Sequence, residues 1–185
     1  MHYLHKILVY IPDAVSAEVE MTKEEKMDAV RSYADDQTAD YYGSVFDWRE
    51  TDCAGRWTAE FPQNVIFASD DIDEFINQIE RAIDSQKAEI AMCLNFLREK
   101  NQTELERFIN GELARKSLFG DAADEFTMMS SYYLYVIAAI LHGEYRADSY
   151  IFNLHEYTTR IFPDDIESIC QEPKKWAMVM FDCHN

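Results

Sequence analysis

The chain has 185 residues, 48% of them apolar and 14% aromatic, and it carries 35 acids against 17 bases for a formal charge of −18. That balance excludes a disordered acidic tail, which cannot hold so many apolar side chains, and a binder of free nucleic acid, which needs Lys and Arg to displace counterions. Only five glycines and four prolines exclude linker-like and low-complexity chains, and the length suits one domain spanning 1–185.

Tyr3 to Ile11 (YLHKILVYI) is β-branched and aromatic and stops at Pro12-Asp13, which predicts a strand. Tyr3, His5, Ile7, Val9 and Ile11 share one face, and Leu4, Leu8 and Tyr10 on the other imply that both faces are covered. No charged stretch leading into a long apolar run occurs there, so no secretory leader is read. Thr22-Lys23-Glu24-Glu25 has capping-box spacing and opens a helix with the stripe Met27, Val30 and Ala34. Tyr41 to Phe67 lacks helical periodicity and reads as loop with short strands, Asn64 to Phe67 the best of them. Ile72, Phe75, Ile76, Ile79, Ile83, Ile90, Leu94 and Leu97 then recur at helical steps, predicting one amphipathic helix to about Lys100.

Thr103-Glu104-Leu105-Glu106 is a second capping box, ahead of a helix through Leu113 that Gly111 weakens. Asp124 to His142 is apolar nearly all round, through Phe126, Met129, Tyr133, Val136, Ile137, Ile140 and Leu141. It is predicted to be the central buried helix, with Gly143 as its C′ residue. Its unbroken apolar run, Tyr132 to Leu141, is about half a membrane span. Ser149 to Thr159 is β-rich, Pro163 opens a short helix through Cys170, and Lys175 to Asp182 alternates Trp176, Met178 and Met180 against Ala177, Val179 and Phe181 as a final strand. This order predicts an α+β fold: a small mixed sheet of N- and C-terminal strands packed on a layer of helices, including the long amphipathic helix near 70–100.

The acidity is concentrated. Between Asp13 and Asp84 lie 19 acids and six bases, a net of −13, which leaves −5 for the rest. On the long helix Asp73, Glu80 and Asp84 fall along one outward face, with Asp70, Asp71 and Glu74 at its start. Acids three or four apart on a helix sit about 5–6 Å from one another, near the spacing of phosphates along a strand. Self-repulsion costs such a chain stability, and a basic partner would offset that cost. The plainer reading is acidity that keeps a cytoplasmic protein in solution.

A compact, strongly acidic, aromatic-rich chain with helical acid rows resembles the inhibitor proteins of phages and mobile elements, of the anti-CRISPR and antirestriction type. Such proteins fill a basic nucleic-acid channel with carboxylates. The resemblance implies a protein–protein interaction module that inhibits a nucleic-acid-binding protein or nuclease, such as a CRISPR effector with or without its guide RNA. Neither a membrane nor free nucleic acid is an expected partner. A third role, a homo-oligomeric structural protein, would follow from an uncovered apolar stripe on the long helix.

The densest local constellation is Phe46 to Trp57, with two tryptophans, two arginines and three acids. One reading is a recognition loop anchored by Trp48 and Arg49, residue types that often anchor interfaces. Another is a small-molecule-binding or hydrolytic enzyme in which Asp47, Glu50 or Asp52 works as acid or base and Arg49 or Arg56 holds an anion. The third is a structural turn, with Trp48 and Trp57 plugging the core. The partner-binding set is therefore Trp48, Arg49, Asp70, Asp73, Glu74, Glu80 and Asp84. His2, His5, His142, His155, Cys183 and His184 lack metal-ligand spacing, and no nucleophile motif or Gly-rich phosphate loop is present. No metal, cofactor or catalytic residue is expected, and Cys53, Cys93, Cys170 and Cys183 are read as thiols.

Overall fold

The two ends of the chain build the centre of the sheet. Strands β1 (His2–Tyr10) and β5 (Trp176–His184) pair antiparallel along their whole length, from His2 opposite His184 to Tyr10 opposite Trp176. Strand β4 (Ile151–Asn153) lies parallel on the free side of β1. On the other side of β5, β2 (Trp48–Glu50) and β3 (Val65–Phe67) share one edge, each antiparallel to it. This computed structural model describes residues 2–13, 21–99, 125–144, 146 and 150–184, with the backbone alone at 40–44 and 125–131. The second capping box at Thr103, the helix through Leu113 and the side chains of Phe126 and Met129 lie outside the described residues.

The fold is α+β, with a mixed sheet of five strands and helices on both of its faces. Period-2 alternation sends successive residues of β1 and β5 into two cores. Ile7, Val9, Ala177, Val179 and Phe181 meet Met27, Val30 and Ala34 of α1 (Lys23–Val45). On the opposite face Leu8, Trp176, Met178 and Met180 meet Phe75 and Ile79 of α2 (Ile72–Glu99) and Ile169 of α4 (Pro163–Gln171). The alternation predicted for both long strands is the alternation observed.

Local signals set the helix starts. The Thr22 N–H donates to the Glu25 carboxylate at 2.7 Å and the Glu25 N–H to Thr22 Oγ1 at 3.2 Å, the predicted capping box. Asp71 Oδ1 accepts the Glu74 N–H at the start of α2, and Pro163 opens α4. Helix α1 runs on to Val45, past the predicted end of its stripe. The stripe continues through Thr38, which is fully buried and returns its hydroxyl to the Ala34 carbonyl at 2.6 Å. A buried threonine ends an apolar pattern on paper without ending the helix, so residues 41–45 are helical rather than loop.

The chain divides into two compact units, Met1–Ser85 with Gly143–Asn185, and Gln86–His142. The sheet and both cores belong to the first. The second contains the C-terminal half of α2 and helix α3 (Glu125–His142), where the rings of Phe96 and Tyr133 stack at 4.1 Å. Helix α3 is not the central buried helix that its composition predicted. Among its described side chains Val136 and Ala139 are buried, whereas Tyr132, Leu134, Tyr135 and Leu141 are exposed. An all-round apolar pattern has no preferred face, so it could not show that the cores form around the sheet. Gly143 does take the left-handed conformation of a C′ residue, at φ +79°. No helix among the described residues is long and apolar enough to cross a membrane.

Candidate functional site

Burial of Phe75, Ile79 and Ala82 against the sheet fixes the rotation of α2 and leaves Asp73, Glu80 and Asp84 exposed. The sequence therefore placed these three acids on the solvent side correctly. Glu74 lies on the flank of that row. Its carboxylate accepts Gln78 Nε2 at 2.5 Å and Asn77 Nδ2 at 3.1 Å and faces Arg81 at 3.9 Å. The Gln78 bond first, then the Asn77 bond, holds its pKa below the usual carboxylate value. Asp70 pairs with Lys23 at 2.8 Å, both side chains largely in solvent. Such exposed pairs hold position more than they add stability.

Beside this row opens a cleft of about 390 Å³ between β3 and the start of α2. Its apolar walls include Phe61, Val65, Phe67 and Phe75, and Glu60, Asp70, Asp71 and Glu74 line it as well. Four carboxylates around an apolar hollow suit a side chain with an apolar stem and a cationic head.

The Phe46–Trp57 loop separates its charged residues instead of collecting them. Trp48 lies on the sheet edge, 47% exposed, with its ring 5.9 Å from that of His2. Its neighbour Arg49 points to the other face, where the guanidinium pairs with Asp35, donates to the Asp35 carbonyl at 3.3 Å and lies over the Phe181 ring. Arg49 thereby ties α1 to the sheet. Asp47 accepts from His184 at 2.7 Å, and that bond keeps its pKa low. Asp52 faces a smaller groove beside Asp28 and Arg31. Trp57 packs on the second core.

The loop is anchored at Asp182, which is 1% exposed. Its Oδ2 accepts the Arg56 N–H at 3.0 Å and its Oδ1 bonds His2 Nδ1 at 2.8 Å. Gly55 sits against this carboxylate at φ +52°, where an added Cβ would lie 2.3 Å from Asp182 Oδ2. A glycine is required there on both counts.

Pairing of β1 with β5 brings His2 and His184 together, with ring centroids 4.9 Å apart, each imidazole held by its own carboxylate. His5 is buried instead, edge-on to Phe46. Cys183 is buried on the α1 face, so strand alternation separates it from His184. Among the described residues no three His, Cys, Asp or Glu side chains are arranged to hold a metal ion.

Another cavity, of about 370 Å³, lies between β1 and α2, and two cations, Lys6 and Arg81, are among its lining residues. Neither residue was singled out in the sequence. The available signal was Lys6 itself, a charge between Leu4 and Leu8 on a strand face expected to be covered. Compared with protein-family models, with curated proteins and with solved structures, the chain finds no match in any of the three.

Proposed function

We propose that this protein is an acidic interaction module that docks on the basic surface of a nucleic-acid-processing protein and inhibits it by occupying its nucleic-acid channel. The observation that carries this reading is that the helix with the exposed row Asp73, Glu80 and Asp84 also borders, at its start, the cleft lined by the carboxylates Glu60, Asp70, Asp71 and Glu74. The row meets lysines and arginines that otherwise hold phosphates, and the cleft takes one arginine, its stem on the phenylalanines and its guanidinium between carboxylates. Trp48 stands exposed on the sheet edge as an apolar anchor, while Arg49 supports it from the other face of the strand. The acidic surplus fits this role, because opposite charge steers encounter with a cationic groove.

The test is affinity capture from extracts of the source cells with the natural chain and with a Glu80→Lys/Asp84→Lys variant, followed by mass spectrometry. Basic nucleic-acid-processing proteins should be retained by the natural chain, lost with the variant, and released as salt rises. Equal capture by both chains, or retention indifferent to salt, would overturn the proposal.

A further inference from the structure

Lys6 occupies a core position of β1, 8% exposed, on the face covered by α2. Its ammonium donates to the Gln78 carbonyl at 3.1 Å and to Gln78 Oε1 at 2.8 Å, both uncharged acceptors. An ammonium has three protons to donate, and among the described residues no carboxylate stands within ion-pair distance of this one. This is so in a chain with 35 acids. A buried charge in contact only with dipoles is costly, and here a second cation, Arg81, lies close enough to act on it. Burial, then Arg81, pushes the Lys6 pKa down to about 8 against the weaker opposite pull of Glu60 and Glu74.

Both cations line the same cavity of about 370 Å³, together with Trp57 and Tyr150, which pack on the α2 face of the sheet. His2 lines it too, and with Nδ1 committed to Asp182 its remaining polar atom is Nε2. Two cations and two aromatic side chains around a hollow of this size match the usual plan of a small-molecule site: apolar walls with a few polar groups that fix orientation.

We propose that this cavity binds a small organic anion, a carboxylate or a phosphate monoester with an apolar or aromatic body, whose anionic group lies between Lys6 and Arg81. The anion supplies the counter-charge that the fold withholds from Lys6. Below about pH 8 the ammonium is present and Lys6 adds no pH dependence to binding; above it the free protein loses that proton, so binding weakens and takes up a proton. Neither Glu80 nor Asp84 lines this cavity, so loss of partner capture in Glu80→Lys/Asp84→Lys and loss of anion binding in Arg81→Gln are separate outcomes.

Isothermal titration with benzoate, phenyl phosphate, inorganic phosphate and the neutral analogue benzyl alcohol tests this, using the natural chain, Arg81→Gln and Lys6→Met. Saturable binding of benzoate or phenyl phosphate with a Kd below about 1 mM is expected, weakened about tenfold or more in either variant, with none for benzyl alcohol. Whether benzoate or phenyl phosphate binds more tightly assigns the anion as carboxylate or phosphate. Arg81 is more than half exposed, so Arg81→Gln decides the outcome even if Lys6→Met fails to fold. Absence of saturable heat up to about 10 mM of every anion, or equal affinity in Arg81→Gln, would overturn the proposal.

Discussion

A buried lysine without a carboxylate makes a prediction about stability as well as binding. In the folded protein Lys6 titrates near 8 and in the unfolded chain near 10.5. Below the lower value both states hold the proton and the full cost of burying the charge is present. Between the two values the unfolded state holds more protons, so stability rises with pH, by roughly 3 kcal/mol in all at about 1.4 kcal/mol for each tenfold difference in proton affinity between the two states. Lys6→Met removes the charge and keeps the volume. It is expected to stabilise the protein by about 1–3 kcal/mol near neutral pH, with the advantage shrinking as pH approaches 10.5. Urea unfolding of both chains across that range checks it, and a difference independent of pH would show that Lys6 is not a desolvated ammonium. The sequence revealed this residue only as a break in an apolar strand, because a period-2 pattern shows which face a lysine occupies but not what covers that face. Asp182 was hidden for the same reason. Its burial depends on His2 from one end of the chain and the Arg56 N–H from the middle, contacts that no local pattern encodes.

At the scale of elements, legibility followed periodicity. Strands β1 and β5 and helix α2 each have a repeating pattern with one answer, and their faces were readable residue by residue. Helix α1 was readable only as far as its apolar letters ran, since Thr38 completes the stripe with a satisfied hydroxyl. Helix α3 offered no face to read, and β2 is too short for any period to register. The acidic row was legible because it is the complement of the α2 core face, whereas the cleft beside it is formed by β3, the chain before it and α2 together. One consequence is a sharp contrast between neighbours on α2. Ile79→Ala opens a cavity in the second core and should cost about 2–5 kcal/mol, while Glu80→Ala, one residue on and in solvent, should change stability by no more than about 0.5 kcal/mol. Denaturant midpoints of the two variants measure this, and comparable losses would mean that the rotation of α2 is different.

For the molecule as a whole, the question is whether ion pairing or self-repulsion governs its response to salt. The pairs Lys23 with Asp70 and Arg81 with Glu74 are exposed, and exposed pairs contribute little. Against them stands a surplus of 18 negative charges confined to the folded volume. Salt weakens both terms, shortening the screening length from about 30 Å at 0.01 M to about 3 Å at 1 M. Repulsion acts over the longer distances and between more groups, so it is the term whose loss should dominate. The urea midpoint is therefore expected to rise with sodium chloride over that range, and Glu80→Lys/Asp84→Lys, which removes four units of negative charge, should raise it at low salt and flatten its dependence. A midpoint that falls with salt would mean that the surface is held by its pairs. The same screening weakens docking on a cationic groove, so stability and partner binding should move in opposite directions along one salt titration. That opposition separates an acidic face that serves recognition from one that merely carries charge.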